Sequence, residues 1–184
     1  MRYTPEHKEE TRGKIIAAAA AAFRKHGVNG VGVAQLMKAA KLTHGGFYAH
    51  FESKDALIAD ALDAGFDQTM SQLEAAAAAV PVRQRKQAVM DVYVTRKHRD
   101  HPEAGCAIAA LGSDVSRLDA DTKRRFEARI DGLIELIAGE GGNEAARASA
   151  IRMLATMVGG MVLARAVRSE AMSQELLEAV RDMR

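Results

Sequence analysis

Apolar residues recur along this chain at intervals of three and four, and strict alternation occurs nowhere. Ile15, Ile16, Ala19 and Phe23 form one such stripe and predict a helix over about 6–26, closed by Gly27 after the cationic Arg24, Lys25 and His26. Val33, Leu36, Met37 and Ala40 give the i, i+3, i+4, i+7 pattern of a short amphipathic helix. After a tight turn at Lys41–Leu42, Thr43 is placed to cap a third helix reaching about Phe51. Ser53 caps a long fourth helix, with Asp55 in its first turn and Pro81 beyond its end. Helical spacing then predicts segments over about 82–99, 103–117, 120–138 and 143–168, the last two capped by Asp119 and Asn143. Ser173 is expected to cap a final helix running to the C-terminus.

The composition agrees with an all-α chain. Alanine, leucine, methionine and arginine are abundant, and only three prolines interrupt 184 residues. That length builds a core without staples, and the lone Cys106 excludes an internal disulfide and fits a reducing compartment. The polar start of the chain predicts no leader or anchor, and no membrane-spanning segment is expected, so the cytoplasm is the expected location. Charge is unevenly divided. Residues 1–60 hold nine Lys/Arg against six Asp/Glu and four of the six histidines, while the remainder holds 17 against 18. A basic front on a neutral body suggests a small anion-contacting module.

The segment Leu42–Leu57, LTHGGFYAHFESKDAL, sharpens that suggestion. Its two adjacent glycines weaken a helix by about 1 kcal/mol each relative to alanine, yet three of the eight aromatic residues crowd beside them. Two short helices separated by a tight turn make a helix-turn-helix, whose second helix enters the major groove of DNA. Phe47 and Phe51 share one face and anchor the short helix inward. His44, Gly45, Tyr48 and part of His50 then face away, with Gly45 and Gly46 keeping the backbone slim for close approach. Thr43, Tyr48 and Lys54 supply donors suited to phosphate oxygens, and the helix starting at Ser53 offers backbone N–H groups. A bland reading stands beside this one: an aromatic-rich short helix also serves as plain core.

From Thr11 to Leu57 the chain resembles the TetR family of bacterial transcriptional repressors. The run Phe47-Tyr48-x-His50-Phe51-x-Ser53-Lys54-x-x-Leu57 carries the resemblance at fixed offsets. It implies a DNA-binding domain over 1–52, with the helix-turn-helix at about 32–51, joined by a long helix to a helical regulatory and dimerisation domain over 53–184. It further implies a homodimer on double-stranded palindromic operator DNA, released by a small-molecule or electrophile effector, with no cofactor and no membrane. Two positions depart from the family's pattern. Lys41 stands where the turn usually has glycine, which demands a left-handed backbone but adds a cation near the phosphates. Gly32 stands where a hydroxyl cap is usual, so that phosphate contact is not carried over.

The resemblance also implies a dimer interface in the C-terminal helices, about 143–184. Met153, Met157 and Met161 at helical spacing, with Gly159–Gly160 beside them, fit that role, although methionine stripes are commonly core. For the implied ligand cavity the candidates are Phe66, Met70, Leu73, Tyr93, Leu111 and Met157, each of which also serves as ordinary core. Cys106 is a further ligand-site candidate. It follows Pro102 and Gly105 at an expected helix start, near Lys97, His98, Arg99 and His101. Three readings of it stand: a buried packing residue, a redox or electrophile sensor, or a metal site with His98 and His101. The alternative to a regulator is a helical small-molecule-binding protein or an enzyme using Cys106 and these histidines. Neither a Ser/His/Asp order, a phosphate-cradling glycine loop nor an HExxH motif supports catalysis.

Overall fold

The computed structural model describes residues 4–139 and 141–182, and among them there is no strand. The helices are α1 (Pro5–His26), α2 (Val33–Ala39), α3 (Lys54–Ala78), α4 (Arg85–Tyr93), α5 (Arg96–Asp100), α6 (Ala107–Val115), α7 (Ala120–Ala138), α8 (Glu144–Ala166) and α9 (Glu170–Arg181). A 3-10 segment, His44–Ala49, stands where the third helix was expected.

Local chemistry explains most of the boundaries. Thr4 accepts the His7 N–H at 3.3 Å to open α1, and Ser53 accepts the Ala56 N–H at 3.1 Å to open α3. Asp119 and Asn143 cap α7 and α8 as expected. Lys41 takes a left-handed backbone, φ 60, in the turn after α2. Gly32 has no hydroxyl to offer, and the Gln35 side chain reaches back to its N–H at 3.0 Å instead.

Three boundaries differ. The 82–99 segment breaks at Val94–Thr95: Thr95 caps a new helix by accepting the His98 N–H at 3.1 Å, and α5 follows as a separate short element. The next segment is shorter than 103–117, because a 3-10 turn over Pro102–Ala104 precedes α6. The last helix starts earlier, capped by Ser169, which accepts the Met172 N–H at 3.3 Å. Ser173 is buried inside that helix and donates to the Ala164 carbonyl at 2.6 Å. Residues 183–184, the expected end of this helix, lie outside the described residues.

Two apolar clusters organise the packing. The first joins Ile15, Phe23, Leu36, Phe47 and Phe51 to Leu57, Leu62 and Phe66 of α3, and also to Leu111 and Val115 of α6. The second joins Leu73, Tyr93, Cys106, Leu133, Met157, Met161 and Leu177. Helix α3 runs through both, so the N-terminal module and the body share its length.

Helix α8 is long and apolar enough, by length and composition, to cross a membrane, but one side of it is core here. Met157 and Met161 are wholly buried within the chain, which corrects their reading as interface residues. Gly160 is likewise used internally, since a Cβ there would overlap Val180 of α9. The exposed large apolar residues of these two helices are Ile151, Val162, Leu163 and Met172.

Candidate nucleic-acid interface and body cavity

The segment from Lys41 to His50 is fastened from beneath. Phe47 and Phe51 are buried, their rings stacked 5.6 Å apart, and the Arg12 guanidinium lies 4.9 Å from the Phe51 ring. The Phe51 N–H reaches the Phe47 carbonyl at 3.0 Å, so both aromatics hang from one turn. Above them Lys41, Thr43, His44, Gly45 and Tyr48 are exposed, Tyr48 by 69%. Thr43 caps nothing with its side chain, which leaves the hydroxyl on the outer surface. A Cβ on Gly45 would meet no atom of the chain and one on Gly46 only ordinary contacts. Neither glycine has a positive φ. Nothing inside the chain therefore requires these glycines, and the space that Gly45 leaves is open.

Two expected contacts sit differently. The Lys54 ammonium turns inward, donating to the Val28 carbonyl at 2.6 Å and lying 5.9 Å from the Phe23 ring. What remains outward at that position is the N-terminal turn of α3. His50 is half-buried, its Nδ1 without a hydrogen-bond partner; burial, then Lys8 and Arg12, hold its pKa below the ordinary histidine value. It is a neutral ring at physiological pH.

Sequence reasoning missed the contribution of α1. A groove of about 350 Å³ brings His7, Lys8 and Thr11 beside Thr43, Gly46 and His50. The signal was present as polar residues at i and i+4 on the first turns of α1, adjoining the basic front of the chain.

A second concavity, about 360 Å³, opens in the body and is lined by residues including Gln68, Gln72, Tyr93, His98, His101 and Cys106. Of the expected ligand-site residues, Leu73, Tyr93 and Cys106 reach it; Phe66, Met70, Leu111 and Met157 do not line it and pack in or against the two cores. Cys106 is buried at the N-cap of α6. Its backbone N–H donates to His98 Nε2 at 2.9 Å, and His98 Nδ1 meets the Tyr93 carbonyl at 2.7 Å. Because Nε2 accepts, the ring proton is on Nδ1. Burial lowers the His98 pKa to about 4, so the ring is neutral.

Both nitrogens of His98 are thus committed, and His101 pairs with Glu103 at the surface. The metal trio is not assembled, and no group of three suitable ligands exists among the described residues. Nor does His98 serve as a base for the Cys106 thiol, since it accepts from the backbone. Tyr93 is fully enclosed. Burial and then Cys106 push its phenol well above the ordinary range, so it keeps its proton, and its hydroxyl has no strong acceptor beyond the weak Cys106 side chain.

Comparison with known proteins bears on the first of these two regions. Residues 15–61, spanning the anchored segment and the start of α3, match the family described as bacterial regulatory proteins, tetR family. Over these residues the chain is similar to the TetR family. Over 63 residues it is 41% identical to the HTH-type transcriptional regulator TtgR of Pseudomonas putida. That match covers 34% of this chain and 30% of the relative, so it spans under a third of the relative's length. The fold match is much longer. A TetR transcriptional regulator from Chloroflexus aurantiacus aligns over 96% of this chain and 94% of its own, at 25% identity and a TM-score of 0.79. The reduced form of NemR from Escherichia coli aligns over 95% and 96%, at 22% identity and a TM-score of 0.77. The anchored segment lies wholly within the residues that match this family.

Proposed function

We propose that this protein is a DNA-binding transcriptional regulator, a repressor in the cytoplasm that occupies a palindromic operator as a homodimer. The observation that carries this reading is the segment Thr43–Tyr48, exposed outside while Phe47 and Phe51 lock it from within. The segment enters the major groove, with His44 at base edges and the slim Gly45–Gly46 backbone against the duplex. Tyr48, Thr43 and Lys41 donate to phosphates, joined by the N-terminal turn of α3 in place of the Lys54 ammonium. The functional division falls at 52/53, although the apolar core continues across it.

The exposed residues Ile151, Val162, Leu163 and Met172 supply the surface on which a second copy packs. An effector in the body cavity favours a dimer whose two recognition segments no longer match the groove spacing. Coupling of this kind is typically about 1–3 kcal/mol. The test is a mobility shift with DNA from upstream of its own gene, at two salt concentrations. Sequence preference with a steep loss of affinity at high salt is expected. Affinity equal to that for random DNA would remove the reading.

A further inference from the structure

Two guanidinium groups lie behind the wall of the body cavity, at Gln68 and Gly105, without a buried carboxylate to meet them. Arg24, from α1, is 6% exposed. It donates to the Gly65 carbonyl at 3.2 Å and to Gln68 Oε1 at 3.0 Å, while its Nε has no partner. Gly65 is what admits it: a Cβ there would stand 2.9 Å from Arg24 Nη1. Arg165, from α8, donates only to backbone carbonyls, those of Arg99 at 3.2 Å and His98 at 2.5 Å. The buried polar residues among those described are Arg24, Thr69, Thr122 and Ser173, none of them an acid. The one carboxylate that acts on both arginines, Glu103, is at the surface with His101.

A buried charge held only by neutral dipoles is under-compensated. The cavity wall adds a second shortage of the same sign. Tyr93 Oη is a protonated donor, completely enclosed, and faces only the Cys106 side chain, a weak acceptor. Tyr93, Gly105 and Cys106 all line the cavity, and a Cβ on Gly105 would stand 3.1 Å from Arg165 Nη2, directly behind that wall. Gln68 forms part of the cavity wall and holds Arg24, a residue of the DNA-reading module.

We propose that this cavity binds a small organic anion, whose acidic group accepts from Tyr93 Oη and draws on Arg24, and that Arg24 carries its occupancy to α1. The second half rests on the regulator reading above; the first does not. When the anion binds, Arg24 gains a charged acceptor in place of Gln68 and Gly65, and α1 is released from one of its ties to α3. The recognition segment sits on α1 through the Arg12–Phe51 contact and the shared core.

The test is calorimetric titration of the full chain with 2-naphthoate and its neutral counterpart 2-naphthamide, which share a shape and differ in charge. A charge-assisted hydrogen bond from a buried donor predicts that the carboxylate binds at least about tenfold more tightly. Equal or tighter binding of the amide, or no binding of either probe, overturns the anion site. Tyr93→Phe is expected to weaken naphthoate binding by about tenfold while melting stays cooperative; unchanged affinity overturns the placement. For the relay, saturating naphthoate is expected to weaken operator binding by the intact chain and not by Arg24→Met. Gln68→Leu, at an exposed position, cuts the same link should Arg24→Met fail to fold. A probe effect undiminished in both variants overturns the relay. Naphthoate binding by a chain with no DNA sequence preference would leave the site standing and remove the regulator reading; the reverse pattern would do the opposite.

Discussion

Helix α3 has contrasting electrostatics on its two sides. On one, Asp60, Asp63 and Asp67 fall at i, i+3 and i+7 and receive arginines from two other helices. Arg12 of α1 and Arg125 of α7 meet at Asp60; Arg125 and Arg129 meet at Asp63; Arg129 continues to Asp67 at 2.7 Å. On the other side Gly65 and Gln68 face Arg24 with neutral oxygens only. The same helix thus ties α1 to the body twice, once through alternating charges and once through a charge still short of an acceptor. A small anion changes the second tie and leaves the first alone. The ladder therefore acts as a pivot, and the cavity side is where a signal enters.

This contrast can be broken by measurement, and acid is the harshest challenge. His98 stands on the cavity side with its folded pKa near 4 against about 6.5 unfolded. The depressed value means the unfolded chain binds the proton first, so stability falls as pH drops from about 6.5 to about 4 and is unaffected above. The loss amounts to about 3 kcal/mol at most, read by urea melts across that window. His98→Gln should flatten this part of the profile; an unchanged slope would place the sensitivity elsewhere.

Next in size is the ladder. Asp63→Ala leaves two arginines without their shared acceptor, at side chains 23% to 38% exposed. A loss of about 2 kcal/mol is expected, discounted for solvent screening. Arg24→Met should do far less, staying within about 1 kcal/mol of the parent or stabilising it, because the Gly65 carbonyl keeps Thr69 as a donor. Should Arg24→Met cost more than Asp63→Ala, the two sides have been read the wrong way round. The smallest effect belongs to Lys41→Gly, which removes a left-handed lysine and adds unfolded-state freedom. A gain of about 0.5 kcal/mol is expected, together with weaker operator binding from the lost cation.

These contrasts also mark what could be read in the chain before folding. Elements ended by local chemistry were legible: Ser53's helix, Lys41's left-handed turn and α7 between Asp119 and Gly139, whereas Thr43 caps nothing and its segment is a 3-10 turn. The anchored aromatics were legible too, because Phe47 and Phe51 are four residues apart. Tertiary decisions were not. Thr95 begins a new helix without a proline or glycine to announce it, since the Tyr93 carbonyl is taken by His98. Ser169 and Ser173 are equivalent as letters, and only packing against Ala164 buries the second. Lys54 has the right type for a phosphate contact, and only the nearby Val28 carbonyl turns it inward. Arg24 looked like a charge in the last turn of α1, and nothing local reveals that Gly65, 41 residues on, gives it a berth. In this chain the surface proposed to meet DNA was written locally, whereas the cavity was assembled from separate helices.

The central claim is that two copies of the segment Thr43–Tyr48 read DNA together. Hydroxyl-radical and methylation footprinting of the full-length protein on its own upstream DNA tests it most directly. Two protected major-groove patches, centred about 34–36 Å or a multiple apart on a palindrome, are the predicted result, both lost in Tyr48→Ala. A single patch, or uniform protection along the fragment that Tyr48→Ala leaves intact, would contradict it.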